Sequence, residues 1–265
     1  ANIYNNLGYN PFNVANDQIV GVDGKLNPSA SVIFQGLDWY EAMEQRGQRE
    51  NYTINISGGG DKHDIYFSTS YLDETGYVDT SDYDRLTTRF NANFKPTKWL
   101  SIGGNMDMSL STTNGTSGGG SSSIVNPFSF AKNMGSIYPV YLVTPGTGEY
   151  IMDAAGEKQY DYGEGYSEYG IQSRPTNPGR HALAEAQFNN NVSKSNNIGA
   201  RYYADFAIVD GLTASLKYGL NINDFFNKRY ENDRVGDGAP SGRYRESRNR
   251  RTVKNFTQVV SYNKR

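Results

Sequence analysis

An all-β chain, forming part of a large antiparallel transmembrane β-barrel, is the fold class that three observations predict. Apolar and polar residues alternate with a period of two over seven stretches. The connections between those stretches alternate between short and long. The chain is also rich in rings but poor in hydropathy: 21 Tyr and 12 Phe help bring aromatics to 13%, while mean hydropathy is −0.70.

Composition narrows the field. The 265 residues allow one large β domain or two small ones. A disordered chain is poor in aromatics, so this content argues against disorder. A net charge of −2 gives no general case for nucleic acid or an anionic surface as partner. The absence of cysteine excludes disulfides and thiolate metal sites, and suits either the cytosol or a bacterial envelope. No run of eighteen apolar residues exists to form a transmembrane helix. A barrel strand needs only every second residue apolar, so average hydropathy hides it. The chain opens at Ala1 with neither Met nor a signal-like segment, which leaves a mature, a trimmed and an internal chain all open.

Each strand follows from its alternation. In NYTINIS the apolar set is Tyr52, Ile54 and Ile56. In DIYFSTSYL it is Ile65, Phe67, Thr69 and Tyr71. YDRLTTRFNANF places Leu86, Thr88, Phe90, Ala92 and Phe94 opposite Arg85, Thr87, Arg89, Asn91 and Asn93. LSIGGNMDMSLS places Leu100, Ile102, Met106, Met108 and Leu110 opposite Asn105, Asp107 and four serines or glycines. IGARYYADFAI sets Ile198, Ala200, Tyr202, Ala204, Phe206 and Ile208 against Arg201, Tyr203 and Asp205. LTASLKYGLNIN sets Leu212, Ala214, Leu216, Tyr218, Leu220 and Ile222 against Ser215, Lys217, Asn221 and Asn223. NFTQVVSYN is weaker, with Phe256, Val260 and Tyr262 on one side. The third to sixth of these strands reach about ten residues, enough to cross a bilayer at a tilt. All the prolines are expected outside the strands.

The connections GGGDKH, KPTK and the Asp210–Gly211 turn are short. DETGYVDTSD, the span 112–196 and the arginine-rich YENDRVGDGAPSGRYRESRNRR are long. Tight turns at one end and large loops at the other are the rule of an outer-membrane barrel. The span 112–196 exceeds the loops usual in compact domains and contains the flexible tract GTSGGGSSS. The expected organisation is an outer loop over 1–50, with a short helix in LDWYEAMEQRGQ capped by Asp38. Four strands follow over 51–111, a long outer loop over 112–196, two strands over 197–226, an outer loop over 227–251, and a last strand over 252–265.

At this point the sequence resembles a family. DWYEAMEQRGQRENYTINISGGGDKHDIYFSTSYLDETGYV, YDRLTTRFNANFKPTKWLSIGGNMDMS, NPFSFAKNMGSIYPVYL with TGEYIMDAAG, and NFTQVVSYNKR together are similar to the SusC/RagA family of TonB-dependent outer-membrane transporters of Bacteroidetes. The resemblance covers nearly the whole chain and implies about seven strands of a barrel of roughly 22. It further implies energised import of a large nutrient, a glycan or a peptide, with no cofactor. The implied partners are a SusD-like surface lipoprotein as lid, the TonB complex acting through a plug region, the remainder of the barrel, and lipid and lipopolysaccharide. No plug or TonB-contacting segment is recognisable here, so the chain reads as an internal part of the wall.

Site candidates come from side-chain chemistry. Tyr160, Tyr162, Tyr166 and Tyr169 are candidates for substrate contact, because flat rings present apolar faces while their hydroxyls bond polar groups. The alternative is packing within the loop or against a lid. Arg85, Arg89, Asp107, Arg201, Asp205 and Lys217 are expected on the lumen side, since charge facing lipid is costly. Trp99 and Phe94 belong to an aromatic girdle at the inner interface. His63 and His181 are expected at the surface, with no metal role. The acidic run Asp153, Glu157, Asp161, Glu164 and Glu168 lacks EF-hand spacing and reads as polar loop. Arg243 to Arg251 reads as loop in contact with solvent, lipopolysaccharide or a partner, not nucleic acid. No nucleophile–base constellation is visible, so no enzyme is expected. Two rivals remain: a soluble β-sandwich that binds carbohydrate, whose strands bury one face between two sheets, and a passive porin.

Overall fold

The computed structural model describes residues 6–33, 37–115 and 126–263. Seven strands form one antiparallel sheet in chain order: β1 (Gln48–Gly60), β2 (His63–Thr75), β3 (Asp82–Thr97), β4 (Leu100–Asn114), β5 (Asn190–Val209), β6 (Leu212–Glu231) and β7 (Arg243–Tyr262). Every strand pairs with its sequence neighbours, as in an up-and-down barrel wall. The sheet is not closed.

Register explains why each face stays uniform. Phe67 pairs with Phe90, which pairs with Met106, then Ala200 and Leu220. One position along, Arg89 pairs with Asp107, and Asp107 with Gly199. Shifts occur only beside turns, between Phe94 and Thr97 and between Ala207 and Val209. A single slip in mid-strand would exchange the two faces.

The turns at one end are staggered. Phe94 is in register with His63, where the first hairpin turns, yet β3 and β4 run on to Thr97 and Leu100. Leu100 is in register with Phe206 and Ala214 by successive pairs, yet β5 and β6 run on to Val209 and Leu212. This steady offset is the shear of tilted strands closing into a barrel.

Several boundaries differ from the sequence expectation. The first turn is only Asp61–Lys62, because Gly58 to Gly60 pair with β2. Pro96 lies inside β3, at the shift between Phe94 and Thr97; an irregularity of this kind is where a sheet tolerates proline. The strands β5, β6 and β7 each have 20 residues and run well beyond the apolar alternation. Arg243 to Arg251 therefore lie in β7, paired with β6, and not in a loop. The reason is that β-ladders outside a bilayer need no apolar face, so the alternation ends before the hydrogen bonding does. The helix in the N-terminal segment is short, α1 (Trp39–Met43), with Asp38 accepting a hydrogen bond from the Tyr40 N–H as its cap. Most of the GTSGGGSSS tract lies outside the described residues.

The hydrophobic core lies at one end of the sheet and not on either face. Two further helices, α2 (Pro127–Asn133) and α3 (Ala182–Phe188), belong to the long β4–β5 connection. Tyr9, Trp39, Met43, Phe130, Met134, Tyr138, Val143 and Leu183 form one buried cluster. Trp39 meets Phe130 edge-on at 5.3 Å, and its Nε1–H donates to the Tyr138 carbonyl at 3.2 Å. The Gln45 amide donates to the carbonyls of Gly76 and Val78. Asn232 donates to the Asn189 side chain. The four segments at the long-loop end thus fold into one layer. On the sheet itself, Ile56 is 63% exposed and Val260 71% exposed. Among the described residues no second sheet covers this face, as a sandwich would require.

Two glycines show how the wall is filled. Gly103 pairs with Tyr203 and Gly104 with Tyr202. A Cβ on Gly103 would lie 2.6 Å from the Tyr203 ring, and one on Gly104 2.7 Å from the Tyr202 ring. Each tyrosine lies across its glycine, one on each face. The Tyr203 hydroxyl then reaches the Asn93 side chain at 2.9 Å.

Candidate functional site

The loop layer contains a cleft of about 770 Å³. Tyr141, Tyr160, Tyr162, Tyr166, Lys158 and Arg234 are among its lining residues. Tyr160 stacks on Tyr141 at 4.9 Å and meets Phe188 edge-on at 5.8 Å. Its hydroxyl donates to Gln187, whose amide donates to Asp79 at 3.1 Å. The Tyr166 hydroxyl accepts from the Tyr162 N–H at 3.3 Å. Lys158 Nζ lies 4.0 Å from the Tyr150 ring centre, and the Arg234 guanidinium lies 5.1 Å from that of Phe188. Burial raises the phenol pKa of Tyr160, Tyr162 and Tyr166, so all three stay neutral near pH 7. They can offer ring faces and hydroxyls but not phenolate bases.

The cleft brings together three of the four candidate tyrosines. Tyr169 stands apart, exposed in a short 3-10 turn (Ser167–Tyr169). Tyr141, Lys158, Gln187 and Arg234 were not anticipated from sequence. Their contacts span up to about a hundred residues of chain, and no local pattern marks them.

Buried polar groups hold the cleft walls. His181 is fully buried, which corrects its expected surface position. Its Nε2–H donates to the Val140 carbonyl at 2.9 Å, while Nδ1 accepts from the Ala184 N–H at 3.1 Å and caps α3. Nδ1 must therefore carry no proton, and burial pushes the imidazole pKa down to about 3. His63, by contrast, is exposed at the first turn and stacks on Phe94. Arg174 is buried and donates to the carbonyls of Asp161, Thr176, Asn177 and Arg180. Gly163 is left-handed (φ +72°), and a Cβ there would lie 2.3 Å from the Arg174 guanidinium. Of the acidic run, Asp161 is buried, and burial raises its pKa although Arg174 opposes the shift. Asp153 instead accepts from the N–H groups of Ala155 and Glu157 in a turn. Among the described residues no three His, Asp or Glu side chains come together as a metal site. Arg180 joins Glu185 at 2.8 Å and also pairs with Asp237, tying the long connection to the β6–β7 loop.

The wall has two chemically distinct faces. Arg85, Arg89, Asp107, Arg201, Asp205 and Lys217 share one face by register: Arg85 pairs with Ser111, Arg201 with Asn105, and Lys217 with Tyr203. The Asp107 carboxylate fills the space over Gly199, at 2.7 Å from where a Cβ would stand. The other face carries Ile54, Phe67, Phe90, Met106, Ile198, Leu216, Tyr218 and Phe256. On the same face Trp99 stacks on Phe206 at the staggered-turn end.

The chain is 27% identical over 249 residues to TonB-dependent receptor P39 of Formosa agariphila, covering 92% of this chain and 21% of the relative. Its identity to TonB-dependent receptor P3 of the same organism is 23%, covering 86% of this chain and 21% of the relative. No protein-family model matches it. The structures of the RagAB peptide transporter and of the RagAB peptide importer in its closed-closed state superpose with TM-scores of 0.59 and 0.57. Both are 20% identical to this chain, which covers 23% of each. The chain is similar to a segment of TonB-dependent receptors and shares its fold with part of the RagAB structures. It spans about a fifth of the length of the curated relatives it matches. In this segment the long-loop end of the wall carries the cleft, and the short-turn end carries Trp99 and Phe94.

Proposed function

We propose that the segment is wall and outer layer of an outer-membrane transporter that imports a large nutrient, a glycan or a peptide. The observation that carries this reading is the exposed apolar belt on one face of a staggered, antiparallel meander whose long connections all fold at one end. Tight turns face the periplasm and the loop layer faces outward. The apolar face meets lipid, and Arg85, Arg89, Asp107, Arg201, Asp205 and Lys217 face the lumen or a plug. Energy comes from the TonB complex acting on a plug, and a SusD-like surface lipoprotein covers the loop layer. Tyr160, Tyr162 and Tyr166 contact cargo across the cleft, where ring faces and hydroxyls suit sugars and peptides alike.

Uptake tests the reading. Cells lacking the gene should lose uptake of oligosaccharides or peptides too large for diffusion pores, and collapse of the proton-motive force should stop uptake in wild-type cells. Uptake that survives that collapse would favour a passive porin and overturn the energised reading.

A further inference from the structure

Three rings that line the cleft run in contact from one cation to another. Lys158 Nζ lies 5.4 Å from the Tyr141 ring centre, with Tyr150 on its other side. Tyr141 stacks on Tyr160, Tyr160 meets Phe188, and the Arg234 guanidinium stands over Phe188. The two cations come from different loops, Lys158 from the β4–β5 connection and Arg234 from that between β6 and β7.

The backbone fixes where both start. The N–H groups of Arg234 and Val235 donate to the buried Asn232 side chain at 2.8 and 2.9 Å, and the Gly236 N–H donates to the Gly179 carbonyl at 3.1 Å. Lys158 is bridged to Met152, and the Asp153 N–H closes that turn on the Glu157 carbonyl. Arg234 is near enough to Tyr162 for its charge to oppose the rise that burial gives the phenol pKa. Carboxylates of the cleft leave both cations unneutralised. Asp153 accepts from turn N–H groups, and Glu157 is exposed. Neither cation and neither carboxylate forms an ion pair among the described residues. A guanidinium over a ring keeps its fork of N–H donors for a planar carboxylate.

We propose that the cleft selects an acidic oligosaccharide, with Arg234 taking a uronate carboxylate and Lys158 a second one. The proposal rests on the reading that cargo is met in this cleft. A sugar chain fits better than an extended peptide, because the backbone edges of the wall already pair with one another. The N–H groups of Leu142, Ile151, Gln159 and Asp161 donate to the carbonyls of Gln159, Leu142, Ile151 and Val140. No strand edge is left there for a peptide to extend, whereas tyrosine rings and hydroxyls remain for sugar.

The test is calorimetry on the detergent-solubilised full-length protein. The probes are hexameric galacturonate, mannuronate, guluronate and glucuronate, each beside its carboxyl-reduced counterpart, and hexaglutamate. Wild type should bind at least one oligouronate more tightly than its reduced counterpart and more tightly than hexaglutamate. Arg234→Gln should lose about tenfold for that oligouronate, and Lys158→Gln about threefold. Both side chains are exposed, so neither change opens a core. Affinity for the reduced sugar should not change, and Lys132→Gln, at an exposed site on α2, should bind like wild type. Equal binding of charged and reduced sugars, cation variants that bind like wild type, tighter binding of hexaglutamate, or no bound oligouronate would each overturn the proposal. Tyr162→Ala separates this failure from that of the cleft itself. If it weakens a neutral sugar or a peptide that the cation variants still bind, only the acidic selection falls. If cargo binds fully to Tyr162→Ala and to the cation variants alike, the cleft reading falls with it.

Discussion

Replacing Phe90 by arginine places a charge at the centre of the β3 belt. Phe90 lies midway between Leu86 and Phe94, pairs with Phe67 and Met106, and is 41% exposed on the apolar face. An arginine facing lipid at the midplane costs roughly 2–4 kcal/mol, or about 30- to 1000-fold in the folding equilibrium. Neighbouring Asn91 faces the other way, pairing with Tyr66 and Asn105. Asn91→Arg adds a cation near Arg89 in a wet environment, where repulsion is about 1 kcal/mol or less. Folding into liposomes, followed by urea titration and the heat-modifiable gel shift, reads both. Phe90→Arg should lower the unfolding midpoint sharply, and Asn91→Arg little. Equal shifts would refute the assignment of faces.

Three other perturbations follow from particular contacts. His181 contributes stability above its unfolded pKa of about 6.5, and that stability is lost as pH falls toward its folded value of about 3. Protection factors at α3 and Val140, taken after division by the intrinsic exchange rate at each pH, should therefore fall by up to tenfold per unit below about pH 6.5. Asp161 and Glu185, whose pKa values burial raises, act in the opposite direction, so the wild type should be compared with His181→Asn, which lacks the slope. Gly103→Ala drives a Cβ within 2.8 Å of the Ala92 carbonyl and should destabilise the wall by about 1–3 kcal/mol in the same urea assay. Tyr162→Ala, in the cleft, should weaken cargo binding about tenfold by calorimetry, an aromatic contact being worth about 1 kcal/mol or more, while Tyr169→Ala should leave it unchanged.

The sheet was legible where the two faces differ in chemistry. Phe90 and Arg89 declare their sides because a strand has a strict period of two. Beyond Ile198 the β5 faces turn polar, and beyond Ile222 Phe225 and Phe226 put a ring on each face of β6, so the outer lengths of β5, β6 and β7 left no alternation to read. The arginines of β7 looked like loop for the same reason. They divide between the faces, with Arg243, Arg245 and Arg251 on one and Arg248 and Arg250 on the other. The loop layer was hardest. Its core joins Tyr9, Trp39, Phe130 and Leu183 across irregular chain with no periodicity. The burial of His181 depends on Val140, 41 residues away, and nothing local announces it. The ring-rich YDYGEGYSEYG stretch pointed to the cleft through Tyr160, Tyr162 and Tyr166, but its partners Gln187 and Arg234 come from other segments.

The most direct test of the two-faced wall is a spin-label accessibility scan of β6. The chain has no cysteine, so single-cysteine variants from Ala214 to Ile222 can be labelled cleanly. The account predicts a period of two in the protein reconstituted in liposomes. Labels at 214, 216, 218, 220 and 222 should favour oxygen dissolved in lipid, and labels at 215, 217, 219 and 221 a water-soluble nickel chelate. Uniform accessibility along the strand, or the opposite phase, would contradict it.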